Sequence, residues 1–509
     1  MKRTFTLIMT VAISAVMTVS CTGFLKEEPK TFEQPGNFYN NEDQILQGVM
    51  GAYLGIRCPL YGTGVNQGGE NVVLTEMLCG YAERTSSIFS ELAEIFNLTI
   101  SADNAFVGST FSAMYTDLEN VNQMIDILQN KEGIDDILSE DKKSRYLAEM
   151  YFLRAYYYSY LVRFYGPVPL KLTPTTGLAD AQLPLNSEAE VFGQIIDDLE
   201  YAESLASGME WNYTDGRISK GTIKAYLAKM YLTMAGYPIH DATYYDKAYS
   251  KGLEVIKSGT FSLYDTYDQA RLGYNTNGKE FLFSVQCMKN QYNNPLHMIG
   301  VPRNGATTFI PVISFYQPSN PGGGWRPCSE FYNSYPSGDA RTANHSFYFT
   351  SQKSVDGTVT HTFSPSLYKY WDEECATGSD GESGVNFPLI RYTDVLLTVA
   401  EAACKGGSTT DADAINAYWE VRHRAMASES KPSTITFDQV FKERMWEQAF
   451  EGQNWFTMIR TRKAYDFAKD AVVDFVGYKA PKMNSAFTAD DLLLPYPANQ
   501  VRLNPNLVR

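Results

Sequence analysis

Apolar residues in the stretch 144–170, SRYLAEMYFLRAYYYSYLVRFYGPVPL, recur at a spacing nearer four than two. Leu147, Tyr151, Ala155, Tyr158, Val162 and Tyr165 then share one stripe of a helix. Gly166-Pro167 ends it, because glycine accepts a left-handed cap and proline cannot extend the hydrogen-bond ladder. Ala148 and Ala155 are small enough for a second helix to approach closely. The same periodicity predicts helices over 42–56, 111–128, 187–205, 218–235, 245–258, 392–404 and 411–427. Ser187 followed by Glu190 is a capping-box signature at one of these starts. Helices 218–235 and 245–258 form one pair, and 392–404 and 411–427 another. Hairpins of this size predict tetratricopeptide-like packing, although no strict 34-residue period repeats.

The pattern changes over 260–384. Helical periodicity fades there, and Gly, Pro, Asn, Ser and aromatic residues dominate. Phe281–Val285 reads as a short strand within it. A long non-helical excursion on a helical scaffold is a binding architecture. Its aromatics, Tyr292, Phe315, Tyr316 and Trp325, are the candidate ligand contacts. A sugar ring has a flat face of C–H groups that stacks on an indole or phenol. Trp325 follows three glycines, so the sequence predicts an accessible indole; the alternative is an indole that pins the loop to the body.

Composition narrows the function. The 509 residues carry a formal charge of −15, which argues against nucleic-acid binding, since phosphate affinity depends on clustered Lys and Arg. Five histidines, with no HExxH spacing, give no metal-hydrolase signature. No nucleophile elbow or phosphate-binding loop is present. The acidic run Asp372, Glu373, Glu374 reads as a solvated face. The sequence therefore predicts a protein without catalytic residues, metal or cofactor. Lys2 and Arg3 precede an apolar run over 5–19, and Thr18-Val19-Ser20-Cys21 follows, the pattern of a lipoprotein signal. Cleavage would leave Cys21 as an acylated N-terminus anchored in a membrane. Six further cysteines, none in a CxxC pair, read as isolated buried thiols.

Several blocks carry a resemblance to a known family. They are Cys21-Thr-Gly-Phe-Leu25, Tyr115 through Asn122, FLRAYYYSYLVRFYGPVPL at 152–170 and GRISKGTIKAYLAKMYL at 216–232. Further on come Gly338-Asp-Ala-Arg341, FPLIRYTDVLLTVAEA at 387–402, ERMWEQAFEGQNWFTMIR at 443–460 and LLLPYPANQVRLNPNL at 492–507. In this order they resemble the SusD/RagB outer-membrane nutrient-binding lipoproteins. The resemblance implies a mostly α fold of about four tetratricopeptide-like helical hairpins plus an irregular loop-rich subdomain with short strands. It implies a signal peptide at 1–20, a lipidated tether at 21–40, helical regions at 41–259 and 385–509, and a ligand face at 260–384. It further implies an oligosaccharide or polysaccharide ligand, or a peptide in some members, and a SusC-like TonB-dependent transporter as partner. A tetratricopeptide scaffold without a nutrient ligand is the remaining alternative.

Overall fold

The computed structural model describes residues 38–58, 70–84, 90–177, 180, 182–301, 325–353, 357–377 and 382–508. The chain divides into a short unit, Met1–Gly48, and a main body, Val49–Arg509. In the short unit the described residues begin helix α1 (Glu42–Ala52), where the Gln44 N–H donates to Asn41 Oδ1 at 3.0 Å. Past Gly48, α1 tightens into a 3-10 turn, Tyr53–Arg57.

The body is a stack of helices. Helix α2 (Glu70–Leu78) and helix α3 (Ser90–Asn97) precede α4 (Ala105–Asn130) and α5 (Glu140–Tyr165). Then come α6 (Glu188–Leu205), α7 (Lys220–Ala235), α8 (Tyr244–Lys257), α9 (Tyr392–Cys404), α10 (Ala412–Ala425), α11 (Phe437–Glu447) and α12 (Asn454–Thr461). From α4 to α10 each helix packs on the next, and α11 packs back on α9. The two predicted pairs are present, and α8 also packs directly on α9. The array is thus continuous in space across residues 258–391, which emerge as an insert between two touching helices. At the α8–α9 crossing a Cβ on Gly252 would lie 2.5 Å from Val399 Cγ2, so only glycine allows this approach.

Helix α5 starts at Glu140, one turn before the predicted stretch, because the Ser139 hydroxyl accepts from the Lys142 N–H. It ends at Gly166, φ +72°. Nearly its whole circumference is buried, not one stripe; among its tyrosines only Tyr151 stays partly exposed. The buried phenols find backbone acceptors: Tyr157 donates to Ala52 O (2.7 Å), Tyr158 to Lys171 O (2.8 Å) and Tyr165 to Val107 O (2.6 Å). Each such bond contributes about 1 kcal/mol net, whereas an unmet buried hydroxyl would cost more. Arg154 grips Asp198 of α6 with two bonds, 2.7 and 2.8 Å, joining α5 to α6. The Ser187–Glu190 capping box forms as the sequence predicts. Leu54, within the predicted helix 42–56, is 45% exposed, because the 3-10 turn shifts the helical phase.

Strands are short and occur in five antiparallel pairs among the described residues. β1 (Ala82–Arg84) pairs with β3 (Trp325–Pro327), and β2 (Phe281–Val285) with β6 (Phe387–Arg391). β4 (Tyr348–Lys353) pairs with β5 (Thr360–Leu367), β7 (Ser408–Thr409) with β8 (Ile435–Thr436), and β9 (Lys463–Asp466) with β10 (Ala471–Asp474). The β2–β6 pair staples the start of the insert to the residues that open α9.

A buried lattice of charges fastens the insert to α10 and α11. Arg341, wholly buried, bonds Asp339 and Glu443 (both 2.8 Å) and reaches Glu447 at 3.4 Å. Arg391 bonds Glu280 (3.0 Å), Glu447 (3.0 Å) and Glu451 (2.7 Å). Arg424 bonds Glu280 (2.8 Å) and Glu447 (2.9 Å). Lys369 pairs with Glu451 and donates to Ala449 O at 3.1 Å. Burial alone would raise the pKa of Glu447; the guanidiniums of Arg424, Arg391 and Arg341 outweigh it and hold it at about 2.

Two stability predictions arise here. Glu447→Ala, which strands three buried guanidiniums, should cost about 3–5 kcal/mol in urea unfolding. Since the folded pKa lies below the usual 4.5, the carboxylate's contribution is complete above pH 4.5 and is lost as pH falls towards 2; the parent should show this extra acid sensitivity and the variant should not. At the α8–α9 crossing, Gly252→Val should destabilise by roughly 1–3 kcal/mol. Gly193→Ala in α6, where nothing lies within 4 Å of the new methyl, should instead gain about 0.5–1 kcal/mol in the same assay.

Candidate functional site

Tyr292 stands on a tight turn of the insert. Met288 and Tyr292 exchange backbone hydrogen bonds, both 2.8 Å, and Asn290 at φ +66° makes the reversal. The Asn290 N–H donates to Glu382 Oε2 at 2.5 Å, which anchors the tip. Tyr292 is 40% exposed and Met288 56%, so the turn presents an aromatic and a thioether together. The guanidinium of Arg57, at the end of the 3-10 turn, lies 4.5 Å from the Tyr292 ring centre. One ring face thus meets a cation, and the turn holds a phenol and a guanidinium side by side.

Trp325 departs from the predicted accessibility. It is 1% exposed, its strand pairs with β1, and its ring meets Phe450 edge-on with centroids 4.9 Å apart. The pairing of β3 with β1 turns the indole inward and leaves no open face for a sugar. Its indole nitrogen finds no hydrogen-bond partner among the described residues. Phe315 and Tyr316 lie outside the described residues, as does Cys21.

Periodicity did not reveal a small aromatic core inside the insert. Val301, Phe349, Tyr368, Trp371 and Ala376 pack together with Phe363 against them. Tyr368 and Trp371 are stacked, with centroids 5.7 Å apart and planes 13° from parallel. The Arg271 guanidinium lies over Tyr368 at 4.9 Å and donates to Trp371 O at 2.8 Å. His297 packs at 5.2 Å from Trp371, and its Nδ1 accepts the Asp372 N–H at 3.1 Å. Burial pushes its pKa down to about 4 against the pull of Asp372, so the imidazole is neutral. The signal was available in the density of aromatics over 347–371, but the partners come from stretches far apart in sequence: Arg271, His297 to Val301, and Phe349 to Ala376.

Of the acids of 372–374, Glu373 and Glu374 are exposed as the sequence predicts, whereas Asp372 is partly buried and holds the local backbone. Asp372 Oδ1 accepts the N–H groups of Glu374 and Cys375, its Oδ2 accepts the Ser383 hydroxyl, and Glu373 accepts the Trp371 indole N–H at 2.7 Å. Elsewhere, burial pushes Glu76 up to about 7 although the N–H groups of Phe450 (2.7 Å) and Gly452 (2.6 Å) donate to it. Among the described residues no group of three or more His, Cys, Asp or Glu can hold a metal ion. Cys58, Cys79, Cys287, Cys328, Cys375 and Cys404 are in no disulfide, and all but Cys287 are fully buried. No described helix is long and apolar enough to cross a membrane.

A helical-hairpin array interrupted by one loop-rich insert is the architecture these elements define, and comparison with known proteins gives it a family. The profile of the SusD family matches residues 209–509, and that of proteins described as starch-binding and associating with the outer membrane matches 59–232. The chain belongs to the SusD family. It is 24% identical to a SusD-like protein of Bacteroides ovatus, over 98% of this chain and 96% of that one. The solved structure of a SusD superfamily protein from Parabacteroides distasonis superposes with a TM-score of 0.81 at 28% identity, covering 91% of this chain and 98% of that one. A laminarin-binding SusD-like protein shares the fold at TM-score 0.71 and 22% identity, over 92% and 98% of the two chains.

If Trp325 is a core residue, Trp325→Ala should lower stability by about 3–5 kcal/mol. Thermal melting of the variant beside the parent checks this; an unchanged melting temperature would return the indole to the surface.

Proposed function

We propose that this protein is a cell-surface binding subunit that captures an oligosaccharide or polysaccharide and passes it to a SusC-like TonB-dependent transporter in the outer membrane. The carrying observation is family membership through a profile spanning 209–509, joined by the outer-membrane starch-binding profile over 59–232. The names of two structural neighbours fit this reading: one is described as laminarin-binding, another as a structure with a xylogluco-oligosaccharide. In this reading Cys21 carries the acyl anchor, and the tether over 21–40 links the folded body to the lipid. Capture needs no bond making, so the protein supplies a rigid platform. Tyr292, with Arg57 beside it, is the described part of the proposed ligand face, and Phe315 and Tyr316 are further candidates on sequence grounds. Stacking on an exposed aromatic of this kind contributes about 0.5–1.5 kcal/mol.

Native affinity electrophoresis through gels containing laminarin or xyloglucan tests the reading. The parent should be retarded by at least one polysaccharide, and Tyr292→Ala should bind roughly 2–10-fold more weakly with unchanged melting. Retention of peptides but of no glycan would replace the sugar ligand with a peptide. Release of reducing ends by the pure protein would end the non-catalytic reading.

A further inference from the structure

A second cleft lies on the helical body. It has a volume of about 380 Å³, and its walls come from α4, from Pro169, Lys171, Thr175, Asp180 and Leu183 of the connector that follows α5, and from Gln500, Asn504 and Leu507. None of its lining residues belongs to the insert. Sites for small molecules commonly measure about 300–1,000 Å³.

Its chemistry is divided. Tyr115 lines one wall with its ring, 4.9 Å from Phe111, and is held because its hydroxyl donates to Pro169 O at 2.7 Å. Leu183 and Leu507 extend the apolar surface. Around the rim stand Lys171, Glu119, Asp180 and Gln500. Lys171 pairs with Glu119 at 3.5 Å. Asp180 takes the N–H groups of Thr176 and Gly177 and the Thr176 hydroxyl all on Oδ2, which leaves Oδ1 without a bond to any described residue. Gln500 spends its amide N–H on Ser112 Oγ (3.0 Å), and its Oε1 likewise accepts nothing from the described residues. A fixed aromatic ring, two spare acceptors and an ammonium around one small cleft match a ligand with an apolar face and several hydroxyl donors. Two carboxylates against one ammonium select against an anionic ligand.

We propose that this cleft is a second saccharide site, which takes one end of a short neutral sugar independently of the insert. A pyranose face lies on Tyr115, hydroxyls donate to Asp180 Oδ1 and Gln500 Oε1, and Lys171 Nζ donates to a sugar oxygen.

Hydrogen-exchange mass spectrometry of the full chain with millimolar maltose or cellobiose, one α-linked and one β-linked probe, tests this. Segments 111–119 and 171–183 should gain protection with at least one probe. Gln500→Ala should weaken the sugar concentration dependence of that protection about tenfold. Thr116→Trp, which fills the cleft from an exposed lining position, should abolish it. Tyr292→Ala should leave it unchanged, which separates this site from the insert face. No protection with either probe, protection that survives both cleft variants, or protection lost with Tyr292→Ala would each overturn the proposal.

Discussion

Glu447 is the carboxylate on which the architecture turns. Arg341 from the insert, Arg391 from the end of β6 and Arg424 from α10 all converge on it in a buried interior. Three cations this close would repel one another strongly without Glu280, Glu443, Glu447 and Glu451 between them. Burying such a lattice is no bargain in free energy, since a well-packed apolar substitute is often as stable. Its value is geometric. Guanidinium–carboxylate pairs fix angle and register, and these pairs lock an irregular insert to a regular array in one orientation.

The array supplies rigidity by other means. Tyrosines of α5 tie their helix to the backbone of its neighbours, and Arg154 locks α5 to α6. Gly252 lets α8 and α9 touch although 134 residues of chain separate their facing ends. An insert that leaves and re-enters between touching helices cannot swing freely. The turn carrying Tyr292 is therefore held at both a local level, through Glu382, and a global one, through the β2–β6 pair. The free energy of ordering such a face is met on folding and not on ligand binding.

Much of the helical fold was legible because helices advertise themselves locally. The Ser187 capping box, the Gly166-Pro167 stop and the spacing of apolar residues each need only a few neighbouring positions. The pairing of 218–235 with 245–258, and of 392–404 with 411–427, followed from the same signal. What escaped was non-local. Arg341 and Arg391 sat in recognisable blocks, yet their partner Glu447 lies more than fifty residues away from either, and nothing in periodicity links them. Trp325 misled for a related reason: three adjacent glycines suggest openness, but strand pairing with residues 82–84 decides which way the ring faces. Of the candidate ligand contacts, Tyr292 is the one whose exposure the structure displays.

The buried thiols have a consequence for the life of the chain. Oxidants and mixed-disulfide partners attack the thiolate, and a thiol sequestered from water and held protonated offers almost none. Burial pushes Cys287, Cys328 and Cys404 up to about 12, and Cys58 and Cys79 are raised as well. Once the chain is folded, these five thiols are chemically quiet towards their redox surroundings. Their exposure to scrambling is confined to the interval between synthesis and collapse, so for these five cysteines folding speed matters more than the finished protein.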